Sequence, residues 1–238
     1  MLRRAVQSIL AVGIFLLSAQ WASARTPMVA AGLTDSFYLN ADGTVWATGF
    51  FLDFYPGATS PVKYSTPAGS VIGVGSFNLS HFVLMGDGSL WGSGNNGFGQ
   101  LGDGTTTWQT RPVRIPDLPS VKAISVFMHV LVLDADGSVW AWGRNDMGQL
   151  GDGTTTDRYV PSKVAGISNV MQVSVTNDAS LALKTDGTVW IWGNTCNGSL
   201  GDGHSYGPTD AGFTHKSPTQ IPHLSGVIAI SAGYQHHL

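Results

Sequence analysis

Apolar and polar residues alternate in short runs along most of this chain. Phe82–Met85 (FVLM) and Ser89–Ser93 (SLWGS) flank Gly86-Asp87-Gly88, and Leu131–Asp134 (LVLD) and Ser138–Trp142 (SVWAW) flank Ala135-Asp136-Gly137. A period of two marks a strand with two unlike faces. An Asp-Gly pair between two such runs predicts a hairpin, with a type I′ turn expected because its central residues need positive φ. Alternation places Val139 and Trp140 on opposite faces and Trp142 on the side of Trp140. Outside the first two dozen residues, no window of comparable length carries apolar residues at helical spacing.

The hairpins repeat. DG, then Thr or Ser, an aliphatic residue and Trp occur at Asp42–Trp46, Asp87–Trp91, Asp136–Trp140 and Asp186–Trp190. Trp46, Trp91, Trp140 and Trp190 thus hold one place in each unit and are expected in the core. Three units continue into a Gly-rich loop: NNGFGQLGDGTTT from Asn95, NDMGQLGDGTTT from Asn145 and NTCNGSLGDGHS from Asn194. A Pro-flanked stretch (RPVRIPDL, VPSKVAGI, SPTQIPHL) and an aliphatic one (VKAISV, VMQVSV, VIAISA) follow. Each unit reads as about four short strands. Four strands in a period of about 50 residues are the signature of a β-propeller blade, whose faces are buried only by stacking on neighbours.

These units resemble the repeats of the regulator of chromosome condensation family, from about Val29 to Leu238, on the recurring DGxxWxWG and NxxGQLGDG elements. The resemblance implies an all-β propeller, seven-bladed in the family's complete rings. With four hairpins and then VIAISAGYQHHL, about four blades plus a partial fifth are expected, in an open arc or incomplete ring. Unpaired edge strands in such an arc would invite self-association. The family usually has a His shortly before the DG hairpin. Here that place holds Asp35, Ser80, His129 and Ala179, with His236 in the tail, departures that argue against a catalytic His. Unit one has FFLDFYPGATSPVKY in place of the Gly-rich loop, and unit four carries the insertion YGPTDAGFTHK.

LGDGTTT, at Leu101–Thr107 and Leu150–Thr156, could cradle a phosphate, hold calcium or only turn the chain. A P-loop needs a lysine in place and a following helix. An EF-hand needs several acids and a closing Glu. LGDGTTT offers one Asp and neither context, and no GxSxG or HExxH occurs. The expected role is a structural turn, with Leu packing inward and Thr capping the loop. No catalytic residue, metal ligand or cofactor is assigned.

The formal charge is −3 with 11% charged residues, which argues against a nucleic-acid partner. Arg3 and Arg4, the apolar run Ile9–Leu17 and Ala22-Ser23-Ala24 have the layout of a secretory signal peptide, residues 1–24, leaving a propeller domain at 25–238. No later segment is apolar enough to span a bilayer. The expected place is periplasmic or extracellular. Cys196 is the sole cysteine, so no intrachain disulfide can form. The expected function is non-enzymatic protein binding through loops that differ between units. Trp108, Tyr159, Tyr206 and Phe213 would be the aromatic anchors, with Arg111 and Arg158 as polar complement. A secreted hydrolase or lyase working from the propeller face, and a truncated family member without independent function, are the alternatives. Mass spectrometry of the exported chain should find Arg25 at its N-terminus; intact Met1 recovered from membranes would indicate an anchor instead.

Overall fold

The structure, a computed structural model, describes residues 27–49, 57–195 and 214–233. Tyr206, Phe213, Cys196, His236 and the 1–24 leader lie outside the described residues. Sixteen strands form four sheets, each an antiparallel four-stranded meander. Blade 1 is β1 (Met28–Ala31), β2 (Asp35–Leu39), β3 (Val45–Gly49) and β4 (Ala58–Lys63). Blade 2 is β5 (Val71–Phe77), β6 (Ser80–Met85), β7 (Leu90–Gly94) and β8 (Gln109–Arg114). Blade 3 is β9 (Val121–Val126), β10 (His129–Asp134), β11 (Val139–Gly143) and β12 (Arg158–Lys163). Blade 4 is β13 (Val170–Val175), β14 (Ala179–Lys184), β15 (Val189–Asn194) and β16 (Thr214–Gln220). Among the described residues no helix is long and apolar enough to cross a membrane.

Burial grades across each sheet. Every residue of β6 and β10 is buried, while β4, β8 and β12 contain no fully buried residue. Each outer strand also carries a proline: Pro61, Pro112, Pro161 and Pro218. Proline has no N–H to offer an incoming strand, so these outer edges are poor templates for strand addition. Blades pack in sequence order, β1 and β2 on β5, β5 on β9, and β9 and β10 on β13. Val227 continues the series. Its N–H bonds Gly187 O, as Val121 bonds Gly88 O and Val170 bonds Gly137 O. Gln172 holds the next turn of chain from both sides, donating to Ile230 O (2.6 Å) and accepting from Ile230 N (3.0 Å). Residues 227–232 therefore lie on blade 4 where a fifth blade's first strand belongs.

Two local expectations need correction. The Asp-Gly hairpins are not type I′ turns. Gly43, Gly88, Gly137 and Gly187 have positive φ, but the aspartates before them do not. The N–H of Gly43 bonds Asn40 O and that of Asn40 bonds Thr44 O, a type I turn closed by a glycine bulge. Asp42 Oδ1 accepts Thr44 N (2.8 Å) and Thr44 Oγ1 (2.7 Å), a side-chain cap that favours this form. A turn with both central residues at positive φ does occur, at Asn78-Leu79 between β5 and β6.

The second correction concerns tryptophan. Trp46, Trp91, Trp140 and Trp190 are half-buried, not enclosed. Each indole N–H reaches back to its own hairpin: Thr44, Ser89, Asp134 or Thr188. The enclosed pair is Trp142 and Trp192. Each donates across the blade boundary, Trp142 to Gln100 O (2.8 Å) and Trp192 to Gln149 O (2.9 Å). Gly102 and Gly151 lie over these indoles: a Cβ on either would come within 2.7 Å and 2.8 Å of the ring nitrogen. Where blade 2 has Ser93 at the place of Trp142, Tyr64 from the blade 1–2 linker fills the space and hydrogen-bonds Ser93 Oγ. In chemical denaturation, Trp142→Ala should therefore cost about 3–5 kcal/mol. Trp140→Ala should cost clearly less, and equal losses would contradict this burial order.

Candidate recognition surface

The Gly-rich loops join the third and fourth strands at one end of the blades; the DG hairpins occupy the other end. Asn96 builds the blade 2 loop. Its Nδ2 donates to Asp103 Oδ1, Thr105 O and Thr105 Oγ1, and its Oδ1 accepts Leu101 N at 2.9 Å. Asn145 repeats this set with Asp152, Thr154 and Leu150. Asp103 Oδ1 also takes Thr105 N and Oγ1, while Oδ2 takes Gln109 Nε2 at 2.8 Å. Both carboxylate oxygens are thus occupied, Oδ1 by donors of the loop and Oδ2 by the first residue of β8. Leu101 and Leu150 are buried beneath. LGDGTTT is a turn, and its acid is the turn's cap.

Each loop then latches onto the next blade. Gly104 N bonds Tyr159 O and Gly153 N bonds Lys216 O, both at 2.8 Å. Tyr159 packs so closely on Gly99 that a side chain there would collide with its ring. Tyr159 still leaves 43% of its surface exposed, beside Val160 at 48%. Phe98, next to Gly99, is 36% exposed, with the Arg144 guanidinium 5.8 Å above its ring. Arg144 is held by Asp146 (2.5 Å) and by Asp178 of blade 4 (3.2 Å). Trp108 is 42% exposed at the foot of the blade 2 loop.

The six sequence candidates therefore separate. Trp108 and Tyr159 are exposed aromatics. Arg158 is committed to its own loop, its Nε bonded to Asp152 Oδ2. Arg111, exposed on β8, lines a cleft with Trp91. Tyr206 and Phe213 fall on undescribed residues. Sequence reading missed Phe98, Arg144 and Asp178. Phe98 had a signal, since the equivalent loop position in the next unit is Met147, also apolar.

Also missed was a buried polar node between blades 1 and 2. Ser76 Oγ donates to Asp35 Oδ1 (2.6 Å), and His81 Nδ1 lies 3.2 Å from Ser76 Oγ. Phe37 stacks on the imidazole at 4.6 Å. Burial pushes the Asp35 carboxyl up to about 6, against the smaller opposing effect of the Ser76 bond, and pushes the His81 imidazole down to about 3. Ser, His and Asp are the residues of a hydrolytic triad, but the serine hydroxyl here is given to the carboxylate and the group is enclosed. Blades 3 and 4 use the same positions with the partners exchanged: His129 Nε2 meets Ser180 Oγ at 2.8 Å. Burial first, then the nearby Arg144 charge, lowers His129 to about 3. Between blades 2 and 3 the contact is apolar, Phe77 stacked on Phe127 at 3.6 Å.

The family model for the regulator of chromosome condensation (RCC1) repeat matches residues 87–129, 136–183 and 186–238, more than half of the chain. Blade 1 precedes the match yet has the same four-stranded meander. Human WBSCR16 superposes with a TM-score of 0.74 at 20% identity, covering 89% of this chain and 58% of its own. Prp20p from Saccharomyces cerevisiae, described with its binding properties to Gsp1p and histones, gives 0.74 at 21% identity, over 92% and 56%. Yeast RCC1 (Prp20) bound to Kap60 gives 0.68 at 22% identity, over 85% and 50%. At such identities the likeness is one of fold, and the chain spans between 50% and 58% of these structures.

The buried nodes set a pH signature. Asp35 has a raised folded pKa, so its contribution is present below the ordinary carboxylate value and lost as pH rises through about 6. His81 and His129 are lowered, so theirs is present above the ordinary imidazole value and lost as pH falls toward about 3. Between about pH 4 and 6 the unfolded chain carries a proton on each of these histidines and the folded chain carries one, on Asp35. Stability should therefore rise with pH there, by about 1.4 kcal/mol per pH unit from these groups. Asp35→Asn should double that slope, and His81→Gln should flatten it. Denaturant titrations at several pH values check the order; parallel slopes would contradict it.

Proposed function

We propose, on the premise that this chain belongs to the regulator of chromosome condensation repeat family, that it is an exported, non-enzymatic protein-recognition module. The working face is the loop end of blades 2 and 3. One observation carries this reading: the loops satisfy their own polar groups, yet Phe98 lies exposed under a tethered guanidinium, with Trp108 at the foot of the same loop and Tyr159 and Val160 on β12 exposed as well. Aromatic anchors beside a held arginine are the composition of interface hot spots. A protein as the class of partner is supported by analogy alone, since Prp20p is described with protein partners. Those partners' names do not carry over at these identities.

Export rests on the sequence of residues 1–24 and would place the mature chain in the periplasm or outside the cell. Cross-linking of the mature chain to secreted and envelope proteins, followed by mass spectrometry, should identify the partner. Trp108→Ala should then weaken it by about 2 kcal/mol while leaving the unfolding midpoint in place. If Trp108→Ala instead unfolds the chain and leaves the partner's affinity intact in the folded fraction, the residue is packing and the face is misassigned.

A further inference from the structure

A second surface lies apart from the loop face, beside the linker between blades 1 and 2. Ser65, Thr66, Pro67, Ala68, Trp91, Thr110, Arg111 and Pro112 line a cleft of about 670 Å³. That size falls within the range of about 300–1,000 Å³ typical of small-ligand sites. The linker explains why the cleft exists here. In the next two linkers an aliphatic residue, Leu118 or Ile167, packs into or against the core. The first linker is one residue longer and has Pro67-Ala68 at that place, with no side chain long enough to fill the space. A smaller cavity of about 370 Å³, lined by Gly69, Ser70, Ile72, Met85, Gly86 and Asp87, shares Ala68 with it.

The lining has a definite chemistry. Trp91 is half-buried, its indole N–H turned back to Ser89 Oγ (3.1 Å). Arg111 is the one formal charge of the lining, exposed, with no hydrogen bond or ion pair among the described residues. Three hydroxyls, on Ser65, Thr66 and Thr110, complete the wall. An anion is therefore the complement. An extended peptide is disfavoured as its carrier. Strand addition at this edge would have to use the outermost strand β8, where Pro112 offers no N–H. A pyranose ring needs no backbone ladder. Its polarised C–H face suits the negative face of an indole, its hydroxyls suit Ser and Thr, and a ring carboxylate suits a bidentate guanidinium.

We infer that this cleft binds an acidic oligosaccharide of the hexuronate type, with Trp91 as the stacking platform and Arg111 on the carboxylate. The inference is independent of the loop-face reading. Calorimetric titration of the mature chain with tetragalacturonate should give saturable binding, weakened tenfold or more by Arg111→Gln. The carboxyl-reduced, neutral tetramer should bind at least tenfold more weakly than the acid form. Trp91→Phe, which keeps an aromatic face but gives up the Ser89 bond, should weaken binding several-fold in a chain that stays folded, whereas Ser89→Ala, which removes the same bond and keeps the indole, should not. Absence of binding, binding unchanged by Arg111→Gln, or hexaglutamate binding as tightly as the tetramer would each overturn the inference, the last by identifying an acidic peptide as the ligand.

Discussion

The molecule depends on one contact made across the boundaries between blades 2 and 3 and between blades 3 and 4, in which a glycine of one blade's loop lies on a tryptophan of the next. Gly102 covers Trp142 and Gly151 covers Trp192, and each indole N–H is bonded to the carbonyl two residues before its glycine. A side chain at either glycine would separate the two blades, and without the loop the indole N–H would be buried unpaired, at a cost of about 1–3 kcal/mol. No blade can bury both faces alone, so this latch joins blades 2, 3 and 4 into one body, and blade 1 is held to blade 2 by β1 and β2 packing on β5 and by Tyr64. It also explains why the loop recurs so faithfully. QLGDG is a device for presenting a flat glycine surface and the glutamine carbonyl to the neighbour, with Asn and Asp holding the turn rigid from within.

The second and third blade boundaries share this latch, Tyr64 against Ser93 stands in its place at the first, and all three differ in their inner contacts. Asp35 and Ser76 meet His81 at the first, two phenylalanines stack at the second, and His129 meets Ser180 at the third. A buried polar node is costly unless matched, whereas apolar stacking is indifferent to its partner. The two polar boundaries are matched only in part: Asp35 Oδ2, His81 Nε2 and His129 Nδ1 are buried without a hydrogen-bond partner among the described residues, a cost that the apolar boundary does not carry. The loops satisfy their own polar groups, and Phe98 and Trp108 remain exposed at the loop end.

Much of this was legible in the sequence. The period, the four strands per unit and the blade number follow from alternation and from the repeated DG and GQLGDG elements. The turn type was not, because it depends on whether the aspartate cap or a positive φ prevails, and the Thr44 bonds to Asp42 decide that. Tryptophan burial was misjudged for a similar reason. Alternation sets the face of a side chain but not what the neighbouring blade lays over it, and only Trp142 and Trp192 receive a loop. His81 escaped notice because it sits one position beyond the family's histidine place and works from the opposite side of the boundary. The Trp91 cleft was invisible for want of a positive signal: it arises from a linker that lacks an aliphatic residue.

The latch itself can be observed directly by hydrogen exchange, followed by NMR at the indole Nε1–H groups and the loop amides. In the wild-type chain the indoles of Trp142 and Trp192 and the amides of Gly104 and Gly153 should exchange only through global unfolding. Trp46 and Trp91, half-buried and bonded within their own hairpins, should exchange much faster. Gly102→Ala should release Trp142 and Gly104 together while Trp192 and Gly153 stay protected. If Trp142 exchanges as fast as Trp46, or if Gly102→Ala leaves it protected, the loop is not what joins the blades.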